Sequence, residues 1–338
     1  MIFVRGVGAV SPAGWGVPPL REALEMNQGI ALKDLERPGW TKPLRVRQVP
    51  PPSPRPAFMT HPRLRRTSPI AQYAVGAALE ALGDQAAQAD SMRLGIVFCV
   101  MSGCVNYSRR FYDETLRDPA TASPLLFPET VFNAPSSHLA AVLGTTAINY
   151  TLVGDPGTFL LGLALAAEWL GDGQVDGCLV VGAEEMDWLT AEAFRLFTRR
   201  IILSEGAGAL YLCRDKATGP AVELRGVTDT CLISDRESRF RAAQMVRKHL
   251  PAGSLADLLC DGRQDISRLD APEAEAWRDW PGARCSPKAV LGEGLMAAAA
   301  WQCVAAVDAL SRNRYASAQI SIVGCNQQAI GAHFARTS

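Results

Sequence analysis

Apolar residues in this chain fall into two kinds of run. Short stretches that are apolar at every position, such as Leu94-Gly95-Ile96-Val97-Phe98-Cys99-Val100 and Gly177-Cys178-Leu179-Val180-Val181-Gly182, predict strands of a sheet covered on both faces, because a half-exposed strand alternates instead. Longer runs, from Thr158 to Leu170 and from Gly294 to Leu310, predict helices. Leu161-Gly162-Leu163-Ala164-Leu165-Ala166-Ala167 and Met296-Ala297-Ala298-Ala299-Ala300 are apolar around most of the helix circumference, which predicts burial on all sides, as in a middle layer between two sheets.

The order of these runs repeats. The first half offers the strand Phe3 to Val10, then Leu94 to Val100, the helix Thr158 to Leu170 and the strand Gly177 to Gly182. The second offers Val222 to Val227, Ser254 to Cys260, the helix Gly294 to Leu310 and Gln319 to Gly324. Strands alternating with helices predict an α/β fold built from two similar halves, 1–214 and 215–338. Pro50 to Pro62 is proline-dense and predicts a stiff surface loop. Ser68-Pro69 then predicts a helix start, with serine as N-cap and proline in the first turn, continuing through Ala74 to Leu82. Phe111 to Pro135, aromatic and broken by Pro119, Pro124, Pro128 and Pro135, predicts an irregular contact surface.

Composition narrows the function classes. A chain of 338 residues that is 48% hydrophobic can bury a large core. Lys+Arg and Asp+Glu are both 34, so no global basic field exists to hold nucleic acid or an anionic membrane. Ile2 to Gly8 lacks the pattern of a signal peptide and no apolar run is long enough for a bilayer span, so a cytoplasmic protein is expected. The 9 cysteines show neither a CxxC pair nor a Cys/His cluster, which predicts reduced, buried thiols and no structural zinc.

Several segments resemble the β-ketoacyl synthases of the thiolase superfamily. They are Arg5-Gly6-Val7-Gly8-Ala9-Val10-Ser11-Pro12-Ala13-Gly14, Arg65-Arg66-Thr67-Ser68-Pro69 through Leu82, Phe132-Asn133-Ala134-Pro135 with His138, and Val181-Gly182-Ala183-Glu184-Glu185. Leu203 to Leu210 and Ser286-Pro287-Lys288 through Leu291-Gly292-Glu293 continue the series in the family's order. The resemblance implies the thiolase fold, five layers αβαβα from two duplicated halves, in agreement with the repeat.

The departures bear on chemistry. In the family a nucleophilic cysteine opens the buried helix of the first half; here Pro156, in Gly154-Asp155-Pro156-Gly157-Thr158, takes that position. Proline suits a first helical turn, where its missing amide had no partner. The family's two histidines donate hydrogen bonds to the charge developing during decarboxylation; Asp261, in Asp261-Gly262-Arg263-Gln264-Asp265, and Glu293 stand in their place. An ionised carboxylate only accepts hydrogen bonds, so both would repel that charge. The family's gating turn becomes Val323-Gly324-Cys325-Asn326-Gln327-Gln328, with Cys325 at the phenylalanine. Asp155, Asp261 and Glu293 are expected to converge on one cavity, with Lys288 and Arg263 as counter-charges in a polar plug. Rival readings are a metal site, hydrolysis by a protonated acid, or a displaced nucleophile at Cys104 or Cys325. His138 is read as a packing residue.

Synthase-like chains without the cysteine are known as chain length factors, which pair with a catalytic ketosynthase. The resemblance implies such a non-condensing subunit, paired with a ketosynthase or with itself, in type II fatty acid, polyketide or aryl polyene-type biosynthesis. Phe111, Phe127, Phe132, Asn133 and Cys104 would wall the partner's acyl tunnel or pack the dimer. An acyl carrier protein would bring the phosphopantetheine arm, so no cofactor of the chain's own is expected, and Arg63, Arg65 and Arg66 could receive it unless they are simply solvated. The alternatives are an acyl-thioester hydrolase or transferase using the acidic pocket, and a homodimeric acyl- or lipid-binding protein.

Overall fold

The computed structural model describes residues 1–196, 198–215, 221–325 and 327–337. Among them, ten strands carry the architecture, in two sets of five. The first set is β1 (Ile2–Ser11), β2 (Leu94–Val100), β3 (Asn149–Val153), β4 (Gly177–Glu184) and β5 (Gly206–Cys213), in spatial order β1-β5-β4-β2-β3. The second is β6 (Ala221–Val227), β7 (Asp257–Cys260), β8 (Ala283–Cys285), β9 (Ser317–Val323) and β10 (Gln328–Thr337), in order β6-β10-β9-β7-β8. The two orders are the same permutation. Directions repeat as well: first, fifth and fourth strands are antiparallel neighbours, while second and third run parallel to the fourth. β1 and β6 pair from Ile2↔Leu224 to Val4↔Val222, which joins the two sets edge to edge.

Helices α1 (Val17–Met26), α2 (Pro69–Leu82), α3 (Val105–Arg117), α4 (Ala134–Leu143), α5 (Thr158–Gly171) and α6 (Trp188–Arg195) belong to the first half. The second carries α7 (Arg236–His249), α8 (Ser267–Ala276), α9 (Pro287–Leu291) and α10 (Met296–Ser311). α5 and α10 touch each other and strands of both sets, and so form the middle layer. α2 and α4 cover one outer face, α7 and α8 the other, giving the order αβαβα. β2, β4 and β5 are buried at every residue, as continuous apolar runs predict.

Four local expectations change. α10 is buried nearly all round, but α5 leaves Leu161 37% exposed and turns Glu168 to solvent, so its apolar circumference is not covered within this chain. The strand expected from Ser254 begins only at Asp257, because the Asp257 carboxylate accepts from the Ser254 amide and hydroxyl and folds that stretch into a turn. The first part of Phe111 to Pro135 is not irregular: it continues α3, on which Arg109–Asp113 and Arg110–Glu114 pair at i,i+4 spacing. Ser68 does occupy the N-cap of α2, yet its hydroxyl donates to Glu185, and that carboxylate caps the helix by accepting from the Ile70 amide at 3.1 Å.

Candidate functional site

An inner pocket of about 110 Å³ lies where α7, α8, α9 and the β9–β10 loop meet. Met101, Ile201 and Leu269 form its apolar side, while Arg239, Glu273, Lys288, Glu293 and Cys325 supply the chemistry. Glu293 is fixed by its backbone, which bridges to the Leu203 strand segment through Glu293 N–H to Ile202 O (2.8 Å) and Ser204 N–H to Glu293 O (3.0 Å). Its side chain accepts from the Leu295 amide (2.9 Å) and from Lys288 Nζ (2.7 Å), and both partners of that ion pair are buried. Burial works to lower the Lys288 ammonium, but Glu293, with Cys325 and Glu273, outweighs it and holds the net shift upward.

Glu273 reaches the pocket from α8. Its carboxyl accepts from the Gly262 amide at 2.9 Å and from the Ser321 hydroxyl. Burial, reinforced by the charge of Asp261, pushes it up to about 8, so it is protonated at neutral pH. Arg239 donates from α7 to the carbonyls of Cys325 (3.0 Å) and Val323 (3.3 Å), pinning the β9–β10 loop. Burial lowers its guanidinium from the ordinary value.

The predicted convergence of three acids does not occur. Glu293 lines the pocket, with Lys288 and Cys325 beside it as expected. Asp261 is wholly buried and does not line the pocket, although its charge reaches Glu273: its amide bonds Cys285 O (3.0 Å) and its carboxylate meets the Ser286 hydroxyl, Arg263 Nε (3.0 Å) and Arg284 (3.8 Å). Arg263 therefore answers an acid, though in a different cavity. Asp155 is wholly buried and lies under the β9–β10 loop, accepting from the Gly157 amide (3.1 Å), Gln328 Nε2 (3.0 Å) and the Gln327 and Gln328 amides (3.3 Å each). Pro156 is buried and precedes the Gly157 N-cap, so it sits in the turn leading into α5 and not in its first turn. It has no amide hydrogen to leave unpaired there, and its carbonyl accepts from Phe159 (3.2 Å). Asn326 lies outside the described residues. Sequence reasoning missed Glu273, Arg239 and Arg284, which arrive from elements with no motif.

Neither candidate displaced thiol has the surroundings of a nucleophile. Burial pushes Cys104 and Cys325 well above the ordinary thiol value, and the charges of Glu185 and Glu293 add to it. Cys104 packs into the outer core under Val131.

The expected contact segment is exposed. Phe111 packs on Phe127 with ring centres 5.7 Å apart, Phe127 is 57% and Phe132 44% exposed, and Asn133 is an exposed N-cap of α4. His138 pairs with Glu129 at 2.9 Å, which ties α4 to this segment. Arg63, Arg65 and Arg66 are exposed and make no ion pair among the described residues. No three His, Cys, Asp or Glu side chains among those residues gather as a metal site would require, and no helix there is long and apolar enough to cross a membrane.

The family model described as Beta-ketoacyl synthase, N-terminal domain, matches residues 52–222. No curated protein matches the chain. Among solved structures, the ishigamide ketosynthase/chain length factor superposes with a TM-score of 0.80 at 18% identity, covering 100% of this chain and 99% of that one. The ketosynthase ApeO in complex with its chain length factor ApeC, from Xenorhabdus doucetiae, gives 0.78 at 15% identity over 99% and 98%. A β-ketoacyl synthase from Burkholderia phymatum STM815 gives 0.77 at 16% over 100% and 99%. At such identities the likeness is one of fold, the five-layer thiolase fold.

Proposed function

The chain belongs to the β-ketoacyl synthase family, and from that premise we propose that it is a non-condensing member, a chain-length-factor-like subunit that pairs with an active ketosynthase and shapes its acyl tunnel. The pathway class is type II fatty acid, polyketide or aryl polyene-type biosynthesis. One observation carries the reading: Pro156 leads into α5, and the nearby pocket presents the buried Lys288–Glu293 pair at 2.7 Å where imidazole donors would be needed. A carboxylate locked to an ammonium neither attacks a thioester nor quiets an enolate. The pocket, at about 110 Å³, is also below the roughly 300–1,000 Å³ of ligand clefts, which disfavours an acyl-binding protein.

Partnership is supported by apolar surface left open. Tyr150 and Val153 on the edge strand β3 are 55% and 53% exposed, and Leu161 of α5 is 37% exposed. An acyl carrier protein, acidic and bearing the phosphopantetheine arm, would meet the unpaired Arg63, Arg65 and Arg66. The hydrolase alternative asks for one of Asp155, Asp261 and Glu293 to be free to give up or take a proton, whereas each is engaged by hydrogen-bond or ion-pair partners.

Co-expression with an intact ketosynthase tests the proposal. A stable heterodimer is expected, with the isolated chain inert toward acyl and malonyl thioesters and Pro156→Cys still unable to condense them. Thioester turnover by the isolated chain that disappears in Glu293→Gln would overturn it.

A further inference from the structure

A second cavity, of about 380 Å³, opens between α1, β7, β8 and the end of α10 and shares no lining residue with the inner pocket. Its size falls within the range of small-molecule sites. Five of its lining residues are arginines: Arg21, Arg263, Arg284, Arg312 and Arg314. Three carboxylates answer them. Asp308 holds Arg21 through two hydrogen bonds (2.6 and 2.8 Å) and lies 3.6 Å from Arg312. Glu25 takes Arg314 (2.6 Å) and Arg312 (3.1 Å). Asp261, buried behind the lining, takes Arg263 at 3.0 Å and Arg284 at 3.8 Å. Glu22 and Asp279 act on Arg21 and Arg284 only from outside the lining.

Within the lining itself five arginines face two carboxylates, Glu25 and Asp308, so the wall is cationic, while Asp261, Glu22, Asp279 and Asp270 offset it from behind. Arg263 and Arg284 share the Asp261 carboxylate, Arg284 also donates to the Trp277 carbonyl, and Asp270 acts on Arg263 from further off; the terminal nitrogens of Arg263 have no hydrogen-bond partner among the described residues. Beneath the arginines the floor is apolar, with Leu20, Leu258, Val290 and Tyr315. We propose that this cavity binds a phosphomonoester carrying a compact apolar or aromatic body. Guanidinium forks match phosphate oxygens in pairs. A phosphomonoester carries about −1.5 to −2 charge at neutral pH and three acceptor oxygens, which suits a wall of five guanidinium groups better than a carboxylate with half the charge.

Calorimetric titration of the full chain with phenyl phosphate, inorganic phosphate, benzoate and phenol tests this. Phenyl phosphate is expected to bind saturably and most tightly, phenol not at all, and about 1 M salt, where the Debye length is roughly 3 Å, should abolish binding. Arg314→Gln, at a half-exposed position, should weaken phenyl phosphate about tenfold, the loss of one charge-assisted hydrogen bond, and Arg63→Gln should leave it unchanged. Arg263→Gln should weaken it at least as much, with circular dichroism confirming an intact fold. Absence of saturable binding, equal binding of phenol, or wild-type affinity in both cavity variants would sink the proposal.

Discussion

Lys288 and Glu293 are both almost wholly out of water, so neither charge has an alternative partner in solvent. Removing one member of such a pair leaves an uncompensated buried charge and costs about 3–5 kcal/mol, while replacing both with apolar side chains is close to neutral. Lys288→Met is therefore expected to lower the unfolding free energy in urea by that amount, and Lys288→Met with Glu293→Leu to recover most of it. Glu273 contributes a pH dependence. Its folded value of about 8 stands above the roughly 4.3 of an unfolded glutamate, so between those values the folded state holds a proton that the unfolded state has released. Its stabilising contribution is full below about pH 4.3 and is lost as pH rises through about 8. Glu184 (about 8) and Glu205 (about 7), also raised by burial, act in the same direction. The urea midpoint is expected to fall from pH 5 to pH 9, and Glu273→Gln to flatten part of that fall; an unchanged slope would refute the assignment. Glu293 was legible in the sequence because it stands five residues after Lys288 within a recognisable segment. Glu273 was not, since its place in the pocket depends on how α8 packs, which no spacing encodes.

The helices at the centre show what apolar periodicity can and cannot specify. Both α5 and α10 read as buried all round, and the reading holds for α10 because strands of both sets lie against it. It fails for α5 because burial depends on what lies next to the helix, and the described residues leave Leu161 37% exposed and Glu168 in solvent. Close packing of α10 also explains why small residues recur on the strands facing it. A Cβ built on Gly208 of β5 would sit 2.7 Å from the Ala300 Cβ, well inside van der Waals contact. Overpacking of this kind costs about 1–3 kcal/mol, so Gly208→Ala should lower the thermal midpoint by several degrees. Ala300→Gly in the same chain should recover part of the loss, which a mere change in strand propensity would not allow. The repeat of strands and helices was readable because central strands such as β2 and β4 are apolar along nearly their whole length. The cap on α2 was not, since Glu185 reaches Ser68 and Ile70 from 117 and 115 positions away.

At the scale of the whole molecule, the duplication joins the inner edges of the two sets and leaves the outer edge strands, β3 and the short β8, unpaired on their far sides among the described residues. β1 and β6 satisfy each other where the two sets join, whereas β3 ends the first set with no strand beyond it among the described residues. An exposed edge with apolar side chains is an aggregation hazard that proteins remove by covering it. On β3 the exposed side chains are Tyr150 and Val153, which point to opposite faces of the sheet, and α5, against which Tyr150 packs through Trp169, leaves Leu161 37% exposed. Phe127, Phe132 and Leu125, the last 70% exposed, are further exposed apolar side chains in the segment before α4. Covering this edge with a synthase subunit would bury side chains that this fold has no means to bury alone. Val153→Lys combined with Leu161→Glu should therefore abolish co-purification with the ketosynthase while leaving the thermal midpoint of the isolated chain within about 2 °C, because both positions are already in contact with water. Size-exclusion chromatography with light scattering reads the assembly, and Leu255→Lys, 85% exposed on the second half, serves as the control that should still assemble. If the double variant assembles as the parent does, the open edge of β3 is not where the partner sits; if it unfolds, Leu161 is doing more inside the chain than its exposure implies.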